Sequence, residues 1–333
     1  QGVEEDESRA VEWYRKAAEQ GYVDAQYNLG FCYQFSYGIK QDISQAVLWY
    51  QKAAEQGHAS AQCYLGNCYF YGNGIKEDEV IAFEWYKKSA EQGDIDAQNN
   101  LGICYEHGYG TGGDSKEAVD WYQKAAEQGF ASAQYNLGNC YTFGKGIKRN
   151  ESQAFKWYQK AAEQDHADAQ NNLGICYEYG NGTGINSKKA LEWYRKAAKQ
   201  DHADAQYHLG SYYQFVEGIK RDKKTAVEWY QKSAEQGHLD AQFNLGNCYF
   251  NGDGIKEDEV IAFNWFREAA EQGHTNAQNF LGFCYEYGQG TNKDKVQAFK
   301  WYQKSAEQDN ADAQNNLGIC YEYGNGTGIN SKK

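Results

Sequence analysis

Nine cysteines, seven histidines and a recurrent Gly-x-Gly string are the residues of this chain that could do chemistry. Thiols could pair or carry redox work, imidazoles could ligate a metal, and glycine loops could cradle phosphate. Their spacing decides among these. Eight cysteines stand at 32, 68, 104, 140, 176, 248, 284 and 320, one per 36 residues, with Tyr212 in the vacant place. Equivalent atoms of stacked helical units lie about 10 Å apart, beyond the roughly 7 Å between Cα atoms that a disulfide tolerates. Cys63 falls on the opposite side of a helix from Cys68. The set reads as small buried thiols, which suits a reducing, cytoplasmic compartment. Sequons at Asn150, Asn181 and Asn325 keep a secreted origin open, although the two flanked by glycine read as accidents of loop composition.

Five histidines, His58, His166, His202, His238 and His274, share one turn position. Zinc needs donors about 2 Å away, and one ring per unit does not converge, so these imidazoles are expected to face solvent or bond locally. Gly72-Asn73-Gly74 and Gly182-Thr183-Gly184 follow no strand and lack dinucleotide spacing, and Gly144-Lys145-Gly146 does not continue as a phosphate loop. Turns account for them. The acidic stretch Asp253 to Asp258 lacks the calcium-loop pattern. No nucleophile has a base and an orienting group placed for it, so neither an enzyme nor a metal or cofactor is expected.

Composition narrows the class further. In 333 residues, 33 basic side chains face 46 acidic ones, a net charge of −13, which disfavours nucleic acid as partner. At 41% hydrophobic the chain can fold, and no apolar run is long enough to span a membrane. With no methionine and no signal segment, it reads as an internal piece of a longer protein.

Tryptophans at 13, 49, 85, 121, 157, 193, 229, 265 and 301 repeat the 36-residue period without a slip. Such a period marks a repeat array. Each unit holds two short apolar-striped segments, neither stable alone as a helix. In the first, Ala10, Trp13 or Tyr14, Ala17 and Ala18 form the stripe. The tryptophan is read as a packed residue, with Trp157→Ala expected to cost about 3–5 kcal/mol locally. The helix stops at Gly21 and its equivalents, with Asp165, Asp201 and Asp309 taking the left-handed place in three units. The second helix is expected behind Asp24, Ser60, Asp96 and their equivalents as N-caps. It buries Ala25, Leu29, Cys32 and Tyr33, and ends at Ser36, Val216 or a glycine such as Gly72. Gly30 and its counterparts sit mid-helix, where glycine costs about 1 kcal/mol, so a neighbouring helix must approach closely there.

The expected fold is all-α: a right-handed superhelical solenoid of about nine 36-residue antiparallel hairpins, one domain over residues 1–333. Gly2 matches Gly38 and Lys333 matches Lys189, so the piece holds whole hairpins without a polar cap. The last helix, near residues 312–323, is expected to present a face to a neighbour, which would permit end-to-end self-association.

The second helices carry no Lys or Arg in any of the nine segments from 23–35 to 311–323, while Asp24, Asp96, Glu106, Asp168, Glu178, Asp204, Asp240, Glu286, Asp312 and Glu322 lie there. Their outward stripe holds Tyr27, Phe31, Phe70, Ile103, Tyr135, Ile175, Tyr207, Phe243, Phe250, Phe283 and Ile319, interspersed with asparagines such as Asn67 and Asn99. Aromatics rimmed by carboxylates suit a protein or peptide with apolar anchors flanked by Lys or Arg. The alternative is that these rings pack onto the neighbouring hairpin. Variation favours binding: Tyr27, Cys63, Asn99 and Phe243 share one position, whereas Leu29 and its partners never change.

Ala25-Gln26-Tyr27-Asn28-Leu29-Gly30 with Tyr33, the Gly38-Ile39-Lys40 loop, Trp49-Tyr50, and Lys52-Ala53-Ala54-Glu55-Gln56-Gly57 resemble Sel1-like repeats, which are similar to tetratricopeptide repeats. The resemblance covers essentially the whole chain. It implies a scaffold or adaptor, often in signalling or quality control, whose inner wall is the helix bearing Leu29, Gly30 and Tyr33. A similar cysteine-rich secreted branch, with members that bind or hydrolyse penicillin-like compounds, would imply a second cysteine per hairpin. Ala17, Ala53 and Ser89 stand there instead. A structural spacer with no groove ligand is the third reading.

Overall fold

The computed structural model describes residues 6–215 and 221–326; Gly2, Val216 and Lys333, named above, lie outside them. Among the described residues it is an all-α solenoid of paired antiparallel helices, with eighteen helices of 12 or 13 residues and no strand. The chain forms two compact units, residues 1–166 and 167–333. We call the Trp-bearing helix of each pair A and its partner B. Unit one holds A helices Glu7–Glu19, Ile43–Glu55, Glu79–Glu91, Ser115–Glu127 and Glu151–Ala162, with B helices Val23–Phe35, Ala59–Tyr71, Ile95–His107 and Ala131–Phe143. Unit two holds B helices Ala167–Tyr179, Ala203–Phe215, Leu239–Asn251, Thr275–Tyr287 and Ala311–Tyr323, with A helices Ser187–Ala198, Lys223–Glu235, Glu259–Glu271 and Lys295–Ala306.

A helices start on Asp or Asn, as at Asp42, whose Oδ1 accepts from the Gln45 N–H at 3.0 Å. They end in one step through a left-handed residue. Asp165, Asp201 and Asp309 hold φ of 62°, 59° and 62°, as expected of side chains that tolerate that region. Ser36 does the same after a B helix. The B helices open two residues earlier than the sequence suggested. Their N-caps include Tyr22, His58, Asp94, Phe130, His238, His274 and Asn310, so Asp24, Ser60 and Asp96 lie in the first turn. The abrupt left-handed reversal leaves room for one extended residue before the helix begins, and that residue takes the cap. The carboxylate of Asp24 and its equivalents is thereby freed.

Within each unit, a B helix that lies between two A helices packs more extensively on the one that follows it than on the one before. The mid-helix glycine sets this contact. A Cβ built on Gly138 would lie 2.6 Å from Tyr158 Cε1, and one on Gly174 would lie 2.5 Å from Tyr194 Cε1. The ring is the residue after the tryptophan: Tyr50, Tyr122, Tyr194, Tyr230 and Phe266 are all 0% exposed. The buried hydroxyls still find acceptors, Tyr50 donating to Gln34 Oε1 at 2.7 Å and Tyr86 to Asn67 Oδ1 at 2.8 Å.

Of the two rings the stripe admitted, the tyrosine or phenylalanine takes the centre and the tryptophan packs beside it, buried at Trp49 and half-buried in most other hairpins. Trp157 is half-buried and packs laterally on the core of the preceding hairpin, as do Trp85 and Trp121. Lys160 lies over its outer face at 4.0 Å from the ring centroid. Trp13, with no described hairpin before it, is 66% exposed.

A buried glutamine completes each joint. Gln98 Nε2 donates to the Ala90 carbonyl at the end of its own hairpin's A helix, and its Oε1 accepts from Gln128 of the next hairpin at 2.8 Å. Gln62, Gln206 and Gln278 repeat the pattern.

Two predictions follow from this packing. Gly138→Ala should destabilise by about 1–3 kcal/mol, because the tyrosine ring cannot retreat, whereas Gly318→Ala, with nothing within 4 Å of the new Cβ, should gain up to about 1 kcal/mol of helix stability. Urea melts that ranked the two the other way would refute the contact. Tyr158→Ala should cost about 3–5 kcal/mol and Trp157→Ala clearly less; equal shifts in the melts would restore the tryptophan to the core.

Candidate protein-interaction surface

The proposed anchors occupy three recurring positions of the B helix and are half-buried, Tyr27, Phe31, Phe70, Ile103 and Tyr135 in the first unit and Ile175, Tyr207, Phe243, Phe250 and Phe283 in the second, whereas Ile319 of the last B helix is 39% exposed. One face of several rings is occupied. Tyr27 stacks on His58, Tyr135 on His166, Tyr207 on His238 and Phe243 on His274, with centroids 4.6 to 4.9 Å apart. Each histidine belongs to the turn of the next hairpin, so these rings serve the joint as well as the surface.

The histidines have local work. Nδ1 of His58, His202, His238 and His274 accepts from a backbone N–H of its own helix at 3.0 to 3.3 Å. That bond places the proton on Nε2, which faces Asp24, Asp168, Asp204 and Asp240 of the preceding hairpin at 3.7, 3.3, 3.5 and 3.2 Å. These four carboxylates remain more than half exposed. Among the described residues no group of three or more His, Cys, Asp or Glu could hold a metal ion.

Three of the other predicted carboxylates lie deeper. Glu106, Glu178 and Glu286 accept the hydroxyls of buried Tyr122, Tyr194 and Tyr302 at 2.8, 2.6 and 2.7 Å. Lys145 reaches Glu106 from its loop at 3.2 Å, so the wall without its own basic residues is met by one at this point.

A row of rings escaped the sequence reading. Phe35, Tyr71, Phe143, Tyr179, Phe215, Tyr287 and Tyr323 close the last turn of their B helices and are 49 to 69% exposed. Phe35 lies one helical turn beyond Phe31, with ring centroids 4.5 Å apart, and Tyr287 stands likewise 4.7 Å from Phe283. An i,i+4 step from the outward stripe would have found them.

The nine cysteines are free and buried, as their spacing implied. Burial lifts the Cys68 thiol to about 11 and, with help from Glu79 and Glu259, those of Cys104 and Cys284 to about 12. They stay protonated and unreactive near neutrality.

Stacked antiparallel hairpins joined through a glycine on one helix and an aromatic ring on the next define a tetratricopeptide-like repeat protein. The Sel1 repeat profile matches in consecutive segments from residues 1–22 and 23–58 through 275–310 and 311–333, and the chain belongs to the Sel1 repeat family. It is 38% identical to a protective antigen of uropathogenic Escherichia coli with a Sel1-like repeat fold, covering 97% of this chain and 77% of that one at a TM-score of 0.65. It is 30% identical to a Sel1 repeat protein of Oxalobacter formigenes, covering 96% and 94% at a TM-score of 0.68. Among curated proteins there is no significant match. The Sel1 repeat fold supports a non-enzymatic protein-interaction scaffold. No helix among the described residues is long and apolar enough to cross a membrane.

The hydrogen bond from His274 holds the Asp240 carboxyl below its ordinary range, against the opposing effect of burial. A carboxyl depressed in the folded state stabilises fully above its unfolded value, near 3.9, and loses that contribution as pH falls through the folded one. In His274→Ala the Asp240 titration midpoint, followed by carbon-13 NMR, should rise toward the ordinary value. An unmoved midpoint would show that the imidazole does not govern this carboxylate.

Proposed function

We propose that this chain is a non-enzymatic scaffold that holds an extended protein segment along its B helices. One observation carries the reading. Helices bearing no Lys or Arg present exposed carboxylates at one end and a row of exposed rings at the other, with half-buried aromatics between. Rings supply area and anchoring, while the exposed carboxylates select a basic flank and reject an acidic one. Asp24, Asp168, Asp204 and Asp240 are the selecting groups; Tyr27, Tyr135, Tyr207 and Phe243 form the floor. The nine buried thiols suit a reducing, cytoplasmic setting.

A random-peptide display selection on the immobilised chain tests this. Enriched sequences should carry apolar or aromatic anchors with an excess of Lys and Arg, and their binding should weaken with salt. Phe143→Ser together with Tyr179→Ser, at exposed positions whose loss leaves the melt unchanged, should reduce binding at least tenfold. No enrichment, or capture indifferent to those two changes and to salt, would leave a spacer as the function.

A further inference from the structure

The joint between the second and third hairpins departs from the four in which a ring stacks on a histidine. Where Tyr135, Tyr207 and Phe243 place a ring, this joint has Cys63, and where His58, His238 and His274 cap the following helix, it has Asp94. Two stacked rings are replaced by a thiol and a carboxylate. The exchange leaves a cavity of about 240 Å³ open to the B-helix face within the first unit.

Its lining is chemically one-sided. The rings of Tyr27 and Tyr64 form walls, centroids 5.9 Å apart and tilted at 49°. Asn67 and Asn100 lie below, locked to each other at 3.2 Å. Asp94 is held rigidly, Oδ1 accepting from the Ala97 N–H at 3.0 Å and Oδ2 from the Ser60 hydroxyl at 3.2 Å. Asp96 lines the same space, and no Lys or Arg does. Burial, and then the charge of Asp94, push the Asp96 carboxyl above its ordinary value, and no cation among the lining residues answers the pair. Asp24, Asp168, Asp204 and Asp240 each face a histidine of the following turn; at this joint Ser60 and Asp94 take those two places, and Phe130 stands where Asp96 would meet its histidine.

The occupant that satisfies all of this is flat, cationic and multiply donating. A guanidinium lies along an aromatic face while its edge N–H groups reach fixed carboxylates, which an ammonium does less completely. We propose that this cavity seats an arginine side chain of a protein partner. The assignment rests on the scaffold reading and names the residue by which a partner would be held at this joint.

The test uses the whole chain and the peptide acetyl-Gly-Gly-Arg-Gly-Gly-amide, with counterparts carrying citrulline or lysine, followed by NMR of the Asn67 and Asn100 side-chain amides and the Ala97 N–H. The arginine peptide should shift these signals saturably, the citrulline peptide at least tenfold more weakly, and the lysine peptide more weakly than arginine. Asp96→Asn should lower the arginine affinity about tenfold. Cys63→Tyr, which installs the residue found at positions 135 and 207, should fill the cavity and abolish the shifts with the melt retained. Equal response to arginine and citrulline, or undiminished binding by a folded Cys63→Tyr chain, would overturn the proposal. Lysine binding as tight as arginine would overturn the guanidinium assignment. Display-selected peptides that bind Cys63→Tyr as well as the parent, yet are lost with Phe143→Ser and Tyr179→Ser, would remove this cavity while the scaffold reading stands.

Discussion

A glycine in the middle of each B helix, pressed against an aromatic ring of the A helix that follows, is the contact on which the array depends. It occurs eight times, from Gly30 on Tyr50 to Gly282 on Tyr302, with a would-be Cβ never more than 2.8 Å from the ring. The absence of a side chain lets the two helices meet along their backbones. The ring fills the groove this opens, and its hydroxyl must then be answered from the B helix. Hence Gln34, Asn67, Glu106, Glu178 and Glu286 sit where they do, one turn from the surface that partners would see. Core geometry thus prescribes part of the surface chemistry.

The same joints divide the surface into fixed and variable features. Leu, Gly and Gln are held constant by packing and by the buried amide bonds, which fail if either partner changes. The position of Tyr27 meets both the following A helix and the following turn, as Tyr27 does through Tyr50 and His58, yet different hairpins hold a ring, an amide or a thiol there without breaking the joint. Cys63 and Asp94 change as a pair, whereas Asn171 keeps His202 opposite it.

Much of this was legible in the sequence, and the boundary is physical. The period, the two helices, the left-handed Asp165, Asp201 and Asp309, and the meaning of Gly30 rest on backbone sterics, which one unit displays completely. What lay beyond reach belongs to the joints. The choice between Trp157 and Tyr158 as the buried ring depends on where the next helix lies, and the periodicity of one helix admits both. Gln26 paired with Gln56 is a contact 30 residues apart that no single-helix pattern signals. The N-cap position was misread because Asp24 is a good capping residue by type, while His58 caps by an imidazole nitrogen and leaves the aspartate for the neighbouring turn.

Each hairpin carries half of two joints: a glycine and an amide acceptor on its trailing edge, a ring and an amide donor on its leading edge. Excision or gain of any whole 36-residue unit therefore rejoins complementary halves. Length becomes a quantity that recombination between copies can alter without disturbing a core, and the identical stretches Gly74 to Phe83 and Gly254 to Phe263 fit that economy of change.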